Sequence, residues 1–104
     1  GISIGGNCSL SSGVNIIGHD SVKWALSGGR QKYEYAPVSV GNNCFIGTNA
    51  VITKGVSIGN HCLVGANAVV TKSFPDYSII LGVPGRHMGN VIVTGEDVIL
   101  DYFD

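Results

Sequence analysis

The aliphatic residues in the middle of the chain recur every six positions. From residue 40 onward they are Val40, Ile46, Ile52, Ile58, Val64 and Val70. Four positions after each of them stands a residue that is usually small, in the order Cys44, Ala50, Val56, Cys62, Ala68 and Phe74. An α-helix repeats about every 3.6 residues and a simple strand every two, so neither explains this period. A short fixed period with one aliphatic anchor per unit predicts a solenoid of short strands joined by turns.

Residues eighteen positions apart match better than residues six apart. The matching pairs are Gly41-Asn42 with Gly59-Asn60, Cys44 with Cys62, Ala50 with Ala68, and Thr53-Lys54 with Thr71-Lys72. Three hexapeptides therefore form one coil of a three-sided prism, with stacked coils about 4.8 Å apart, the spacing of paired strands. The same spacing places Ile4, Leu10 and Ile16 in a first, less regular coil, and residues 79–81 in a last partial strand.

The phase of the repeat breaks after Gly18-His19 and resumes at Val40. The interruption, residues 20–37, contains the only tryptophan, Trp24, together with Tyr33 and Tyr35. A solenoid accepts a long insertion only at a corner, where it projects, and long loops in compact domains are commonly functional. We therefore expect residues 20–37, called the flap below, to project from the prism and to pack through its aromatic side chains.

The length of the chain fits a single repeat domain over residues 1–89, followed by a C-terminal tail at 90–104. The tail is predicted to form a strand and then a short helix, which Thr94 caps with Asp97 three positions on. Its expected role is to cover the end of the prism or a neighbouring subunit. The chain opens at Gly1, without an initiator methionine and already in repeat phase, which indicates a truncated or processed N-terminus.

Composition argues against several classes of protein. The formal net charge is −1, and no basic stripe of the kind that binds nucleic acid is present. No apolar run approaches the roughly 20 residues of a membrane span. All six Lys and Arg residues precede residue 96, whereas the tail contains four of the seven acidic residues, Glu96, Asp97, Asp101 and Asp104.

The three cysteines, Cys8, Cys44 and Cys62, fall in one column of the prism once the interruption is removed. We interpret them as small corner residues that stay reduced, which fits the expected cytoplasmic location of the protein. No histidine or carboxylate shares the column, and no pair of potential ligands is closely spaced, so no metal site is predicted.

The aliphatic-Gly-x-x-small-x unit resembles that of the hexapeptide-repeat acyltransferases, and the resemblance runs over residues 4–86. It implies an all-β fold, the left-handed parallel β-helix. The left hand comes from the resemblance alone, because the sterics of strand crossovers favour the right hand. Sugar O-acetyltransferases of this family, of the maltose and galactoside acetyltransferase type, are homotrimers with their sites between neighbouring prisms. The resemblance therefore implies a homotrimer.

The same resemblance implies that His19 is catalytic. In those enzymes the catalytic histidine stands in a Gly-His or Thr-His pair at the root of a projecting loop. That loop closes with aromatic-x-Pro-aliphatic-x-aliphatic-Gly-Asn-Asn, and the matching segments here are Gly18-His19 and Tyr35-Ala36-Pro37-Val38-Ser39-Val40-Gly41-Asn42-Asn43. A neutral imidazole can accept the proton of an alcohol that attacks a thioester, an effect worth about 10²–10⁴-fold. Without the family, a lone histidine beside a loop is more often structural or solvated.

The resemblance also implies acetyl-coenzyme A as the acyl donor. Thr71-Lys72 matches the family's coenzyme A segment, although Ser73 stands where relatives have aspartate, and Lys72 would contact a phosphate. Arg86, in Gly-Val-Pro-Gly-Arg, matches a basic residue near the nucleotide end of the donor. The alternative for Lys72 and Arg86 is a solvated surface role. Lys54, one coil before Lys72, is a weaker candidate.

Thr48 and Ala66 match family positions that line the pantetheine arm of the donor. The Thr48 backbone N–H would stabilise the oxyanion of the thioester. Simple packing within the repeat is the alternative for both residues. The flap residues Trp24, Tyr33 and Tyr35 are candidates to bind the acceptor.

The leading functional hypothesis is acetyl transfer from acetyl-coenzyme A to a hydroxyl of a sugar or glycan, by direct histidine-assisted attack. One alternative is an N-acyltransferase acting on an amino sugar, serine or a xenobiotic, and another is a non-catalytic trimeric scaffold. A zinc site like that of the γ-class carbonic anhydrases is disfavoured, because His61 lies on a different face from His19 and His87 follows the repeat. The family's acceptor-binding residues lie largely in coils that would precede Gly1, so the sequence does not identify the acceptor.

Overall fold

The structure is a computed structural model that describes residues 1–104 and contains fourteen strands and one helix. In chain order these are β1 (Ile2–Ile4), β2 (Ser9–Leu10), β3 (Asn15–Ile16), β4 (His19–Asp20), α1 (Val22–Leu26), β5 (Glu34–Tyr35), β6 (Val38–Val40), β7 (Phe45–Ile46), β8 (Val51–Ile52), β9 (Ser57–Ile58), β10 (Leu63–Val64), β11 (Val69–Val70), β12 (Ser78–Leu81), β13 (Arg86–Thr94) and β14 (Asp97–Tyr102).

Three stacks of parallel strands form the three faces of a prism. The first face stacks β1, β6 and β9, the second stacks β2, β7, β10 and β12, and the third stacks β3, β8 and β11. Val51 pairs with Val69 one coil later, as the repeat predicts. Ile4 pairs with Val40 across the flap, so the insertion leaves the register of the repeat unchanged. The three-sided prism predicted from the sequence is confirmed.

One aliphatic column from each face fills the interior of the prism. The anchors of the second and third coils are 0% to 4% exposed, and they are Val40, Ile46, Ile52, Ile58, Val64 and Val70. Small residues fill the corners, where strands of adjacent faces converge, and Cys44 and Cys62 are each 2% exposed there. In the first coil, Ile4 and Leu10 are each 42% exposed, because their strands are paired on one side only.

Three edges separate the faces, and the candidate site is described by them. They are the cysteine edge between the first and second faces (residues 5–8, 41–44 and 59–62), the alanine edge between the second and third (11–14, 47–50 and 65–68), and the flap edge between the third and first (17–37, 53–56 and 71–74).

Residues other than glycine adopt left-handed backbone conformations and turn the chain at two of these edges. At the cysteine edge Asn7, Asn43 and His61 have φ of 56°, 58° and 54°, and at the alanine edge Asn49 and Asn67 have φ of 60° and 61°. Asparagine tolerates this conformation better than most residues, because its short polar side chain can bond locally. The recurring asparagines of the repeat are therefore turn residues.

The C-terminal tail forms a β-hairpin, and the predicted helix after Thr94 is wrong. β13 pairs antiparallel with β12 and with β14, and the Thr94–Asp97 pair closes the hairpin around Gly95, which has φ of 58°. Val-Ile-Val and Val-Ile-Leu flank the Thr-Gly-Glu-Asp segment, and such runs rich in β-branched residues on both sides of a turn favour strands over a helix. The hairpin extends the second face beyond its last parallel strand.

The flap begins and ends in a two-stranded antiparallel ladder. β4 pairs with β5, so that His19 lies opposite Tyr35 and Asp20 opposite Glu34. Between these strands lies α1, which has five residues. It is the single helix of the protein, and it is far too short to span a membrane. The aromatic residues of the flap pack together, since the rings of Trp24 and Tyr33 meet edge to face at 5.7 Å.

Candidate active site

His19 lies at the root of the flap, where the first coil runs into β4. Its exposed imidazole stacks on Tyr35, with ring centroids 5.5 Å apart and an interplanar angle of 26°. Tyr33 stacks with the same ring at 6.2 Å and 10°. The side-chain hydrogen bonds of histidine in this chain belong to His61 and His87. The ring of His19 is therefore oriented by two tyrosines, while its nitrogens stay free for a substrate.

A groove of about 510 Å³ opens beside His19. Ile2, Ile16 and Ile17 supply apolar lining, and His19 and Tyr35 line it as well. No Asp, Glu, Lys or Arg is among its lining residues. Small-molecule sites usually have this size and this mixture of apolar lining and a few polar groups. The groove can accept an uncharged molecule and present one of its polar groups to the imidazole.

Asp20, the residue after His19, connects the flap to the second coil. Its Oδ2 lies 3.1 Å from Lys54 Nζ, and its Oδ1 accepts a hydrogen bond of 3.0 Å from the Val22 N–H. The Val22 N–H and then the Lys54 ammonium hold the pKa of Asp20 below its usual value, and the hydrogen bond to Asp20 raises the pKa of Lys54.

Sequence reasoning placed Lys54 with Lys72 as a weaker donor-binding candidate and did not single out Asp20. The sequence did hold a signal for their contact. Once the flap is removed, Lys54 stands in the column of Gly18, two residues from Asp20. Opposite charges so placed on adjacent coils are within reach of each other.

Two of the predicted donor-binding residues, Thr71 and Lys72, lie exposed at the flap edge. Lys72 Nζ lies 5.5 Å from the centroid of the Phe74 ring. The ion pairs of the protein are formed by other lysines, Lys23 and Lys54. The Lys72 ammonium is therefore available to an anionic ligand.

Thr48, Ala66 and Arg86 are exposed and lie at or near the alanine edge. Neither the Thr48 N–H nor the Ala66 N–H donates a hydrogen bond within the chain. Arg86 begins β13 opposite Leu81, directly after a turn in which the Gly85 N–H donates to the Val69 carbonyl. This edge therefore presents unused backbone donors and one guanidinium.

One copy of the chain does not bring all the predicted site residues together. His19 and Lys72 lie on the flap edge, whereas Thr48, Ala66 and Arg86 lie on another edge of the prism. The flap brings Tyr33 and Tyr35 to His19, while the ring of Trp24 meets Tyr33 edge to face. A site that uses both edges requires the flap edge of one copy to face the alanine edge of another.

The cysteines and the other histidines lie apart from the flap. Cys44 Sγ donates to the Gly59 carbonyl at 3.1 Å, and the adjacent Cys62 sulfur together with burial raises the pKa of Cys44. His61 stacks on Tyr77 at 5.1 Å, which gives it a packing role at a left-handed turn. No group of three or more His, Cys, Asp or Glu is placed to hold a metal ion.

A second groove, of about 440 Å³, lies between the second face and the C-terminal hairpin. Phe45 and Leu63 line it from the prism, and Val98 and Leu100 line it from the hairpin. His61 is its only ionisable side chain besides Cys62, and none of the predicted site residues lines it. Its chemistry is that of a packing surface.

Comparison with known proteins adds sequence evidence. The family model described as the hexapeptide repeat of succinyl-transferase matches residues 37–72. Protein CapG of Staphylococcus aureus is 43% identical over 94 residues, which cover 86% of this chain and 53% of CapG.

Solved structures show the same architecture. A variant of AntD, an N-acyltransferase from Bacillus cereus in complex with dTDP and coenzyme A, matches with a TM-score of 0.75 and 24% identity over 86% of this chain and 52% of that one. Galactoside acetyltransferase in complex with coenzyme A matches with a TM-score of 0.64 and 28% identity over 86% of this chain and 55% of that one. The chain spans about half the length of these relatives. The predicted fold, the left-handed parallel β-helix, is confirmed, and so is the resemblance of this chain to the hexapeptide-repeat acyltransferases.

Proposed function

We propose that this protein transfers an acetyl group from acetyl-coenzyme A to a hydroxyl group of a sugar or glycan. The observation that carries the proposal is His19, whose exposed ring is oriented by Tyr33 and Tyr35 while its nitrogens are free beside an apolar groove. The match to galactoside acetyltransferase, seen in complex with coenzyme A, supports both the donor and a sugar acceptor.

In this mechanism His19 acts as a general base. Its neutral imidazole accepts the proton of the acceptor hydroxyl while the oxygen attacks the acetyl carbonyl carbon of the donor. A C–O bond forms and the C–S bond breaks, and His19 then returns the proton to the departing coenzyme A thiolate. No side chain is acylated, which agrees with the burial of Cys44 and Cys62, whose sulfurs donate to backbone carbonyls.

The exposed groups at the two edges fit an acyl-coenzyme A donor, which supplies the activated acetyl thioester. Thr48 offers an unused N–H, and such a donor stabilises the negative charge that develops on the carbonyl oxygen during attack. Lys72 and Arg86 offer exposed cations for the phosphates. Ala66 has no side chain beyond Cβ, so it leaves room for an extended arm along the alanine edge.

The position of these residues fits the homotrimer that the resemblance implies. The flap edge carries the base and the alanine edge carries the predicted oxyanion donor, and the two edges are separate in one prism. A closed ring of three copies places a flap edge against an alanine edge three times, which makes three equivalent sites. Each site then takes His19 from one copy and Thr48 from its neighbour.

The lining of the groove favours a hydroxyl acceptor over an amine. An amino acceptor is largely protonated at neutral pH and gains from a carboxylate nearby, but no Asp or Glu lines the groove. The carboxylate nearest in sequence, Asp20, is paired with Lys54. The second candidate is N-acyl transfer, because AntD, which shares the fold, is described as an N-acyltransferase.

The test of the base is His19→Ala, assayed by release of the coenzyme A thiol with a panel of neutral sugars, amino sugars and serine. We expect kcat to fall about 10²–10⁴-fold, with the melting temperature unchanged because the ring is exposed. His61→Ala is the matched control, since this histidine packs on Tyr77 away from the flap and should keep kcat. Undiminished turnover in His19→Ala would exclude it as the base.

The donor site is tested by calorimetry with acetyl-coenzyme A, repeated with 3′-dephospho-coenzyme A and with Lys72→Ala. We expect binding that either change weakens, since each removes one partner of a phosphate contact. A folded protein that binds no acetyl-coenzyme A would contradict the proposal and favour the scaffold alternative.

The shared site is tested by co-expressing two inactive chains. His19→Ala lacks the base, and Ala66→Trp blocks the exposed position on the alanine edge without entering the core. Mixed assemblies recover activity if one site uses the flap edge of one copy and the alanine edge of another. Activity that stays absent in verified mixed assemblies would place each site within a single copy.

A further inference from the structure

The flap is fastened to the body of the prism by one ion pair. Lys54 projects from the second coil and its Nζ lies 3.1 Å from Asp20 Oδ2, with side chains 29% and 31% exposed. The other carboxylate oxygen accepts the Val22 N–H, so both oxygens of Asp20 are engaged. The second ion pair of the protein, between Lys23 and Glu34, is longer at 3.5 Å, is 59% and 44% exposed, and joins two parts of the flap to each other.

This fastening acts next to the proposed base. Asp20 is the second residue of β4 and His19 is the first, and both pair with β5. The His19 ring is oriented only by stacking on two tyrosines, and Tyr35 itself belongs to β5 at the flap root. A shift of the ladder relative to the second coil would therefore move the imidazole and one wall of the groove together.

We infer that Lys54 is a positioning residue of the proposed acetyl transfer, holding the β4–β5 ladder through Asp20 so that His19 faces the acceptor groove. The inference rests on the proposed function. The inference assigns different roles to two lysines at equivalent positions of the repeat. Lys54 fixes the flap, while Lys72, one coil later, lies over Phe74 without a carboxylate partner. Repeat symmetry fixes their positions, and the flap makes their roles different.

The experiment compares Lys54→Met, which keeps the apolar stem, with Lys23→Met as the matched control. In Lys54→Met we expect kcat to fall about 10- to 100-fold, the range of a base displaced by about 1 Å, with the KM for acetyl-coenzyme A within about twofold. Lys54→Arg should keep most of kcat, because a guanidinium can also pair with the Asp20 carboxylate. Lys23→Met should leave kcat unchanged.

Two further measurements define why kcat falls in Lys54→Met. The double variant Asp20→Asn with Lys54→Met should lose no more kcat than either single variant, because both changes break one contact. Amide hydrogen exchange over residues 19–35 should speed up in Lys54→Met and stay unchanged in the prism strands.

Three results would overturn the inference. Unchanged kcat in Lys54→Met would show that the flap needs no such anchor. A raised KM for acetyl-coenzyme A with unchanged kcat would make Lys54 a donor-binding residue instead. Unchanged hydrogen exchange over the flap in Lys54→Met would show that Lys54 does not restrain the flap. An inactive wild-type protein would instead refute the proposed function, and the exchange measurement would still decide whether Lys54 anchors the flap.

Discussion

The first and second coils have the same hydrophobic pattern but very different burial. Leu10 and Ile46 pair with each other on the second face, yet Leu10 is 42% exposed and Ile46 is fully buried. On the first face, Ile4 is 42% exposed and its partner Val40 is 4% exposed. The second coil has a coil stacked on each side, whereas the first has one on a single side.

This difference shows that the burial of a side chain in a solenoid depends on the coils stacked above and below it. Each repeat contacts only its neighbours, so the same aliphatic residue contributes according to how many coils cover it. The proposed chemistry lies at the end of the first coil. His19 ends that coil, and Ile2, Ile16 and Ile17 line the groove beside it.

The comparison predicts unequal costs for the same truncation. Ile46→Ala should lower the free energy of unfolding by about 2–5 kcal/mol, because it leaves a cavity in a fully enclosed column. Leu10→Ala should cost about 1 kcal/mol, because much of that side chain is already in water. Urea unfolding of both variants measures the difference. Equal losses would mean that the first coil is covered as completely as the second in the assembled protein.

A smaller effect is expected from the glycines that let coils approach each other. A Cβ on Gly47 would lie 2.5 Å from the Ala66 backbone nitrogen in the next coil, so Gly47→Ala should cost about 1–3 kcal/mol through forced separation of the coils. Gly6→Ala is the control, since the nearest atom to its Cβ would be Asn42 Oδ1 at 4.0 Å. Thermal unfolding that ranks Gly6→Ala as the more damaging change would contradict this account of coil spacing.

The smallest effect concerns the ion pair between Asp20 at the end of the first coil and Lys54 in the second. The pKa of Asp20 is lower when folded, so its contribution is present above the ordinary carboxyl value of 3.8 and is lost as pH falls through the lower folded value. Acid unfolding of the wild-type protein should therefore show a slightly steeper loss of stability than Asp20→Asn. Since both groups are partly exposed, the difference should shrink further in high salt. If the wild-type protein and Asp20→Asn lose stability equally at acid pH, the ion pair adds no stability.

The sequence alone predicted much of the fold but less of the site. The six-residue period identified the buried anchors from Val40 to Val70, and the break in phase located the flap with His19 at its root. The helix predicted after Thr94 failed because one capping pattern was preferred over the β-branched runs on both sides of Gly95. The contact of Lys54 with Asp20 was missed because the repeat made Lys54 look equivalent to Lys72.

These outcomes follow from how information is arranged in a solenoid. Spacing along the chain equals position around the prism, so the period by itself determined the three faces, the core columns and the corner at which the flap leaves. Only the tertiary structure decided what meets across coils and edges. The flap folds back through its own antiparallel ladder, which no period encodes, and so the geometry of the Asp20–Lys54 pair and the stacking of His19 on Tyr33 and Tyr35 appeared only in three dimensions.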